Sequence, residues 1–231
     1  IFTQSADLLP STVFVVCQGQ TTRITDTYSP PSGEVMAKKI WTLTPVTPVF
    51  SRGGSAPFLG YRDSIRIHYK FPVGTYKIYV SRTNQFGCTA KDSVDYILHA
   101  KPTVSIDATD QCWDLNKSIP ITNSTGDPSP DKILSWKWDL GDGTKANGQS
   151  TPLLNKTINH KYATPGARLI KLIVTTDANC RDSTTKIVNL FAKPNAQFTT
   201  TNTCFGEVTN TLNTSSVASP EAVQFYIWKF I

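Results

Sequence analysis

The sequence predicts an all-β protein built of tandem β-sandwich domains, and three observations carry that reading. Short stretches alternate polar and apolar residues, as half-buried strands do. Gly, Pro, Asn and Asp clusters punctuate them about every 8–12 residues, the rhythm of a sandwich. Pieces of sequence also recur at a near-constant offset: Cys17, Cys112 and Cys204 stand 95 and 92 residues apart, and Cys88 and Cys180 stand 92 apart. Lys101-Pro102 and Lys193-Pro194 keep the same 92-residue step, while Trp41, Trp138 and Trp228 follow at 97 and 90. No stretch of useful length shows helical periodicity.

The second copy is the clearest. Residues 102–108 alternate as a strand, and Ile119 to Thr125 form another that ends in the breaker cluster Gly126–Pro130. Ile133, Trp136 and Trp138 open a third strand, with both tryptophans on one face, closed by the turn Gly141-Asp142-Gly143. His160 to Gly166 turns into Arg168, Ile170, Leu172 and Val174, which alternate cleanly. After Asp177-Ala178-Asn179-Cys180 a last strand carries Ile187, Val188 and Leu190. In the first copy Tyr76, Ile78 and Val80 match Arg168, Ile170 and Leu172, and Trp41 matches Trp138. The Gly-Asp-Gly turn is missing there, and the Pro-, Gly- and Ser-rich stretch 44–60 predicts a longer, irregular loop. The third copy keeps Cys204, Leu212-Asn213-Thr214-Ser215 and Trp228. The expected domains are 1–101, 102–193 and the beginning of a third over 194–231. The missing initiator Met and the stop inside a repeated motif read as a window from a longer protein.

The 231 residues carry a net charge of +6 and a pI near 9.0, which raises the question of nucleic acid. The basic residues are scattered, and no nucleic-acid-binding motif accompanies them, so no specific nucleic-acid partner is expected. No apolar run approaches the ~18 residues a membrane helix needs. Low charge (17%) with abundant Thr, Ser, Asn and Pro suits extracellular β-structure.

Trp138-Asp139-Leu140-Gly141-Asp142-Gly143, then His160-Lys161-Tyr162 with Pro165-Gly166, then alternation into Val174, resembles a PKD domain. That resemblance implies an immunoglobulin-like β-sandwich. It covers the second copy fully, the third as far as it goes and the first in part. Leu140 stands where the family usually has Phe, and Arg168 where an aromatic is usual. The frame of Cys112 and Asn179-Cys180-Arg181-Asp182 further resembles repeats of large secreted surface proteins of Bacteroidota, including adhesins and gliding-associated proteins.

Two cysteines per full copy predict the bridges Cys17–Cys88 and Cys112–Cys180, each pinning its own sandwich near one end, with Cys204 left unmated. Disulfides imply an oxidising, extracellular or cell-surface setting. No Cys-x-x-Cys or Cys-x-x-His spacing points to zinc.

Candidate sites are few. Asp139 and Asp142 flank a tight turn and could supply carboxylates to calcium; the competing reading is that both bond their own turn backbone. No other cofactor is implied. Of His68, His99 and His160, the last sits beside Tyr162 as a structural imidazole. No Gly-x-Ser-x-Gly elbow, P-loop or dinucleotide fingerprint occurs, so no catalysis is expected. The three phased tryptophans read as core. Trp113, next to Cys112, reads as exposed and is the candidate for stacking on a sugar.

The function expected is a stiff, disulfide-pinned spacer or fibre-forming stalk within a large surface protein. Its expected partners are neighbouring repeats of the same chain, other copies in a homo-oligomeric fibre, and surface glycans. A carbohydrate-binding adhesion module and an accessory region of a secreted hydrolase are the alternatives, the latter because PKD-like domains accompany polysaccharidases and proteases.

Overall fold

The computed structural model describes residues 13–26, 28, 32–33, 35–44, 58–60, 64–67, 72–150, 153–154, 156–218 and 221–229. The expected loop over 44–60 lies outside them except for Thr44 and 58–60, and His68 lies outside them too.

Among the described residues, the first hundred form seven strands: β1 (Val13–Cys17), β2 (Thr22–Thr25), β3 (Met36–Thr44), β4 (Phe58–Gly60), β5 (Ser64–Ile67), β6 (Gly74–Asn84) and β7 (Thr89–His99). One sheet runs β1-β7-β6-β3-β4, and β2 pairs with β5 in a second. Inward residues alternate along β1, β2, β6 and the later half of β7, and one core gathers Phe14, Val16, Ile24, Trp41, Leu43, Ile65, Tyr76, Ile78, Val80, Val94, Tyr96 and Leu98. Burial on that scale is the main favourable term for folding.

The following residues form β8 (Ile106–Asp107), β9 (Gln111–Cys112), β10 (Ile119–Asn123), β11 (Ile133–Asp139), β12 (Lys145–Ser150), β13 (Leu153–Leu154), β14 (Thr157–His160), β15 (Gly166–Thr176) and β16 (Arg181–Phe191). Its sheets run β13-β12-β11-β15-β16-β9 and β14-β10-β8. Trp136, Trp138, Ile121, Ile170, Leu172 and Val174 are buried, as the alternation requires. Beyond residue 193, β17 (Phe198–Thr200) pairs with β18 (Thr211–Asn213). The architecture is all-β and immunoglobulin-like.

The chain divides into two compact units. The first holds residues 1–103 with 126–134 and 175–182; the second holds 104–125, 135–174 and 183–231.

The disulfide expectation needs correction. The bridge is Cys17–Cys180, inside the first unit but joining successive sequence copies, with Cα atoms 5.5 Å apart. Cys88, Cys112 and Cys204 are exposed free thiols. Strand geometry explains why neither Cys17–Cys88 nor Cys112–Cys180 forms. β1 runs parallel to β7 with Cys17 opposite His99, the last residue of β7, whereas Cys88 immediately precedes its first residue, Thr89. The 11 residues of β7 separate the two cysteines, a span of about 35 Å. The second copy has the same arrangement, with Cys112 opposite Phe191 at the end of β16 and Cys180 just before its start. The two cysteines of a copy therefore sit at opposite ends of the sheet.

Candidate functional site

The turn after β11 is built by its own side chains. Asp139 Oδ1 accepts the Gly141 N–H at 3.1 Å, and Asp142 Oδ1 accepts the Thr144 N–H at 2.9 Å. Asp142 Oδ2 lies 2.7 Å from His160 Nε2. Burial raises the Asp142 carboxyl, but hydrogen bonds from His160 and Thr144 outweigh it and hold it below the usual carboxylate range. The His160 ring stands edge-on to Tyr162, centroids 4.5 Å apart, and the Tyr162 hydroxyl donates to the Leu140 carbonyl at 2.9 Å. Burial pushes that phenol up to about 12. Turn, histidine and tyrosine thus form one locked corner, and three of the four carboxylate oxygens proposed for calcium have protein partners in it. Among the described residues no group of three or more His, Cys, Asp and Glu gathers as a metal site.

Gly141 is required by this corner. Its φ is +78°, and a Cβ there would meet the Leu169 carbonyl oxygen at 2.7 Å. Arg168, which departs from the usual aromatic, lays its guanidinium 5.4 Å over the Tyr162 ring and donates to the Thr164 carbonyl at 2.6 Å. A guanidinium over the ring face is a cation–π contact.

Trp113 is half-buried rather than exposed, and its Nε1 donates to the Tyr162 carbonyl at 2.9 Å. It borders a shallow recess with Leu115, Pro165 and Lys193. Trp41 and Trp138 are core residues, at 0% and 2% exposure, but Trp228 is 37% exposed. In the third copy it packs edge-on against Phe198 and Tyr226, at 5.5 and 6.3 Å, and lines an apolar groove with Val223, Phe225 and Ile227. The two short strands there do not supply the inward faces that enclose Trp41 and Trp138.

One polar cluster escaped the sequence reading. Asp26 accepts two bonds from Arg82, from Nε at 2.8 Å and Nη2 at 2.5 Å, and pairs with Lys39 Nζ at 2.9 Å. Burial alone would raise the Asp26 carboxyl; the bonds from Arg82, Lys39 and the Tyr28 N–H outweigh it and hold it at about 2. Tyr28 caps the guanidinium at 5.0 Å. The signal was the alternation itself: Arg82 occupies the inward phase of Tyr76, Ile78 and Val80 on β6, where a charge needs a partner. A second link holds the end of β7, where His99 Nδ1 lies 2.7 Å from Asp131 Oδ1 and the Ala100 N–H donates to Asp131 Oδ2 at 2.7 Å.

No catalytic constellation assembles among these groups, and no described helix is long and apolar enough to cross a membrane. The family model of the PKD domain matches residues 99–190. Similar solved structures include the PKD1 domain of Vibrio anguillarum Epp, at 18% identity and a TM-score of 0.32, covering 39% of this chain and 93% of that one. The PKD1 domain of the Vibrio cholerae metalloprotease PrtV is 19% identical with a TM-score of 0.32, covering 39% and 96%. Fibronectin(III)-like modules of Clostridium thermocellum CbhA are 17% identical with a TM-score of 0.37, covering 78% and 89%. No curated protein matches the chain by sequence. With its Trp138–Gly143 turn, His160–Tyr162 corner and family-model match, the second copy is a PKD-like β-sandwich.

Proposed function

We propose that the chain is a structural segment of a large extracellular surface protein, a stiff spacer of PKD-like repeats without catalytic chemistry. The observation that carries this reading is the Cys17–Cys180 bond, which fastens one sequence copy to the next. A bond placed there ties residues 175–182 of the following sequence copy into the first compact unit, a restraint that a spacer needs and a free-standing binding module does not. Short Lys-Pro joints support it, because Pro102 and Pro194 fix φ at the start of the following copy. PKD-type modules are typically non-catalytic and commonly extracellular, and an oxidising compartment suits the bridge.

Small-angle scattering of the oxidised chain, compared with Cys17→Ser, tests the reading. The oxidised protein is expected to scatter as one narrow population of sizes, and the variant as a broader one. Identical profiles from both, or saturable binding of the oxidised chain on a glycan array, would overturn it.

A further inference from the structure

The two cysteines of the formed bridge have counterparts elsewhere in the chain that are held in the same way. Cys17 ends β1 and Cys112 ends β9, and each of these strands runs parallel to the last strand of its copy, with the cysteines opposite His99 and Phe191 respectively. The next residue continues that ladder in each case: the Gln18 N–H donates to the His99 carbonyl at 2.9 Å, and the Trp113 N–H to the Phe191 carbonyl at 2.7 Å. Cys180 and Cys88 share a second setting. Each closes a hairpin turn, with Thr176 N–H donating to the Cys180 carbonyl at 2.9 Å and Asn84 N–H to the Cys88 carbonyl at 3.0 Å. The side chain of that same turn residue accepts the cysteine's own N–H, Thr176 Oγ1 at 3.1 Å and Asn84 Oδ1 at 2.9 Å. The residue before the cysteine is left-handed in both, Asn179 at φ 61° and Gly87 at φ 83°.

From this equivalence we infer that Cys112 and Cys88 are complementary halves of further repeat-to-repeat disulfides, Cys112 taking the turn cysteine of another repeat and Cys88 the parallel-strand cysteine of another. The bonded pair shows what each half lacks. Cys180 is completely buried, whereas Cys88, in the same turn setting, is exposed. Beside Cys17, a recess formed by Gln18, Gly19, Gln20 and Lys101 is closed by Asn179 and Arg181 on either side of Cys180. Lys101 reaches Asp182, two residues beyond Cys180, at 3.0 Å. The recess bordered by Trp113, Asp114, Leu115 and Lys193 occupies the corresponding place beside Cys112. There Lys193, the counterpart of Lys101, bonds Asp114 at 2.7 Å within its own copy. It is a cation placed to exchange that partner for an acidic group on an incoming turn.

The chemistry is thiol–disulfide exchange with a small-molecule disulfide such as oxidised glutathione. The Cys112 thiolate attacks it, forming a mixed disulfide and releasing one glutathione thiolate. The partner's turn cysteine, as thiolate, then attacks the protein sulfur and releases the second. Two protein thiols lose two protons and two electrons, and one glutathione disulfide becomes two thiols. The inference rests on the spacer reading for its purpose and on the Cys17–Cys180 geometry for its placement.

The test is disulfide mapping of the protein from its natural source, with free thiols alkylated before non-reducing digestion. The expected result is a Cys112 peptide joined to a hairpin cysteine of another repeat, and a Cys88 peptide joined to a parallel-strand cysteine of another. Denaturing, non-reducing mass then distinguishes the source of the partner: unchanged on reduction means the same polypeptide, and halved or smaller means a second copy. Alkylated Cys88 and Cys112, a Cys88–Cys88 or Cys112–Cys112 pairing, or bridges Cys17–Cys88 and Cys112–Cys180 would each overturn it. Alkylation of both leaves the spacer reading standing, because Cys17–Cys180 persists. Saturable glycan binding would remove the spacer reading without touching the bridges.

Discussion

Replacing Asp26 by asparagine should be among the most damaging single changes in the first sandwich. The Asp26, Lys39 and Arg82 side chains are 1%, 9% and 9% exposed, so the carboxylate is the counter-charge for two cations held almost out of water. Asparagine keeps the shape and one acceptor oxygen but removes the charge. Stranding a buried ion in this way costs roughly 3–5 kcal/mol. Equilibrium urea unfolding at neutral pH, comparing midpoints at constant m, measures it. Acid gives an independent check. The native carboxyl titrates at about 2, against an ordinary value of 3.8, a difference worth roughly 2 kcal/mol. Because the native pKa is depressed, that stability is fully present above the unfolded value. It is lost as pH falls through the folded value, with most gone by pH 2. The gap between wild type and Asp26→Asn should therefore narrow by about that amount between roughly pH 4 and 2. A neutral-pH cost under about 1 kcal/mol, or a gap indifferent to acid, would refute the reasoning.

Three further outcomes follow from the geometry. Gly141→Ala, at φ +78° with its new Cβ 2.7 Å from the Leu169 oxygen, should cost roughly 2–4 kcal/mol by thermal or urea unfolding. Tyr162→Phe leaves the Leu140 carbonyl without its donor in a buried corner and should cost about 1–3 kcal/mol, read from the same curves. Cys17→Ser should lower stability by roughly 2–5 kcal/mol, whereas Cys88→Ser, at an exposed thiol, should stay within about 0.5 kcal/mol; adding reductant should bring wild type to the level of the first variant.

The strands were legible because their burial is periodic. Tyr76, Ile78 and Val80, like Ile170, Leu172 and Val174, alternate in sequence and are buried in the fold. The turn at 141–143 was legible because its residue types have few other uses. The cysteine mates were not. A fixed offset identifies equivalent positions but does not say which end of a sheet they occupy. That depends on the parallel pairing of β1 with β7 and β9 with β16, a contact between an early strand and the last strand of a copy that no local pattern announces. Asp26 and Arg82 lie 56 residues apart, so only the inward phase of Arg82 hinted at a buried partner. Trp228 was misjudged because phase marks a residue as inward-facing, while burial also requires neighbours to face it.

The Cys17–Cys180 bond spans 163 positions of sequence, and this governs how the molecule would lengthen if pulled from its two ends. Tension would bypass everything between the two sulfur atoms, so that segment could unfold without adding to the reach of the chain. Cutting the bond chemically would release roughly 550 Å of stored contour. The reach of such a chain under tension therefore depends on the redox state of its surroundings as well as on its sheets.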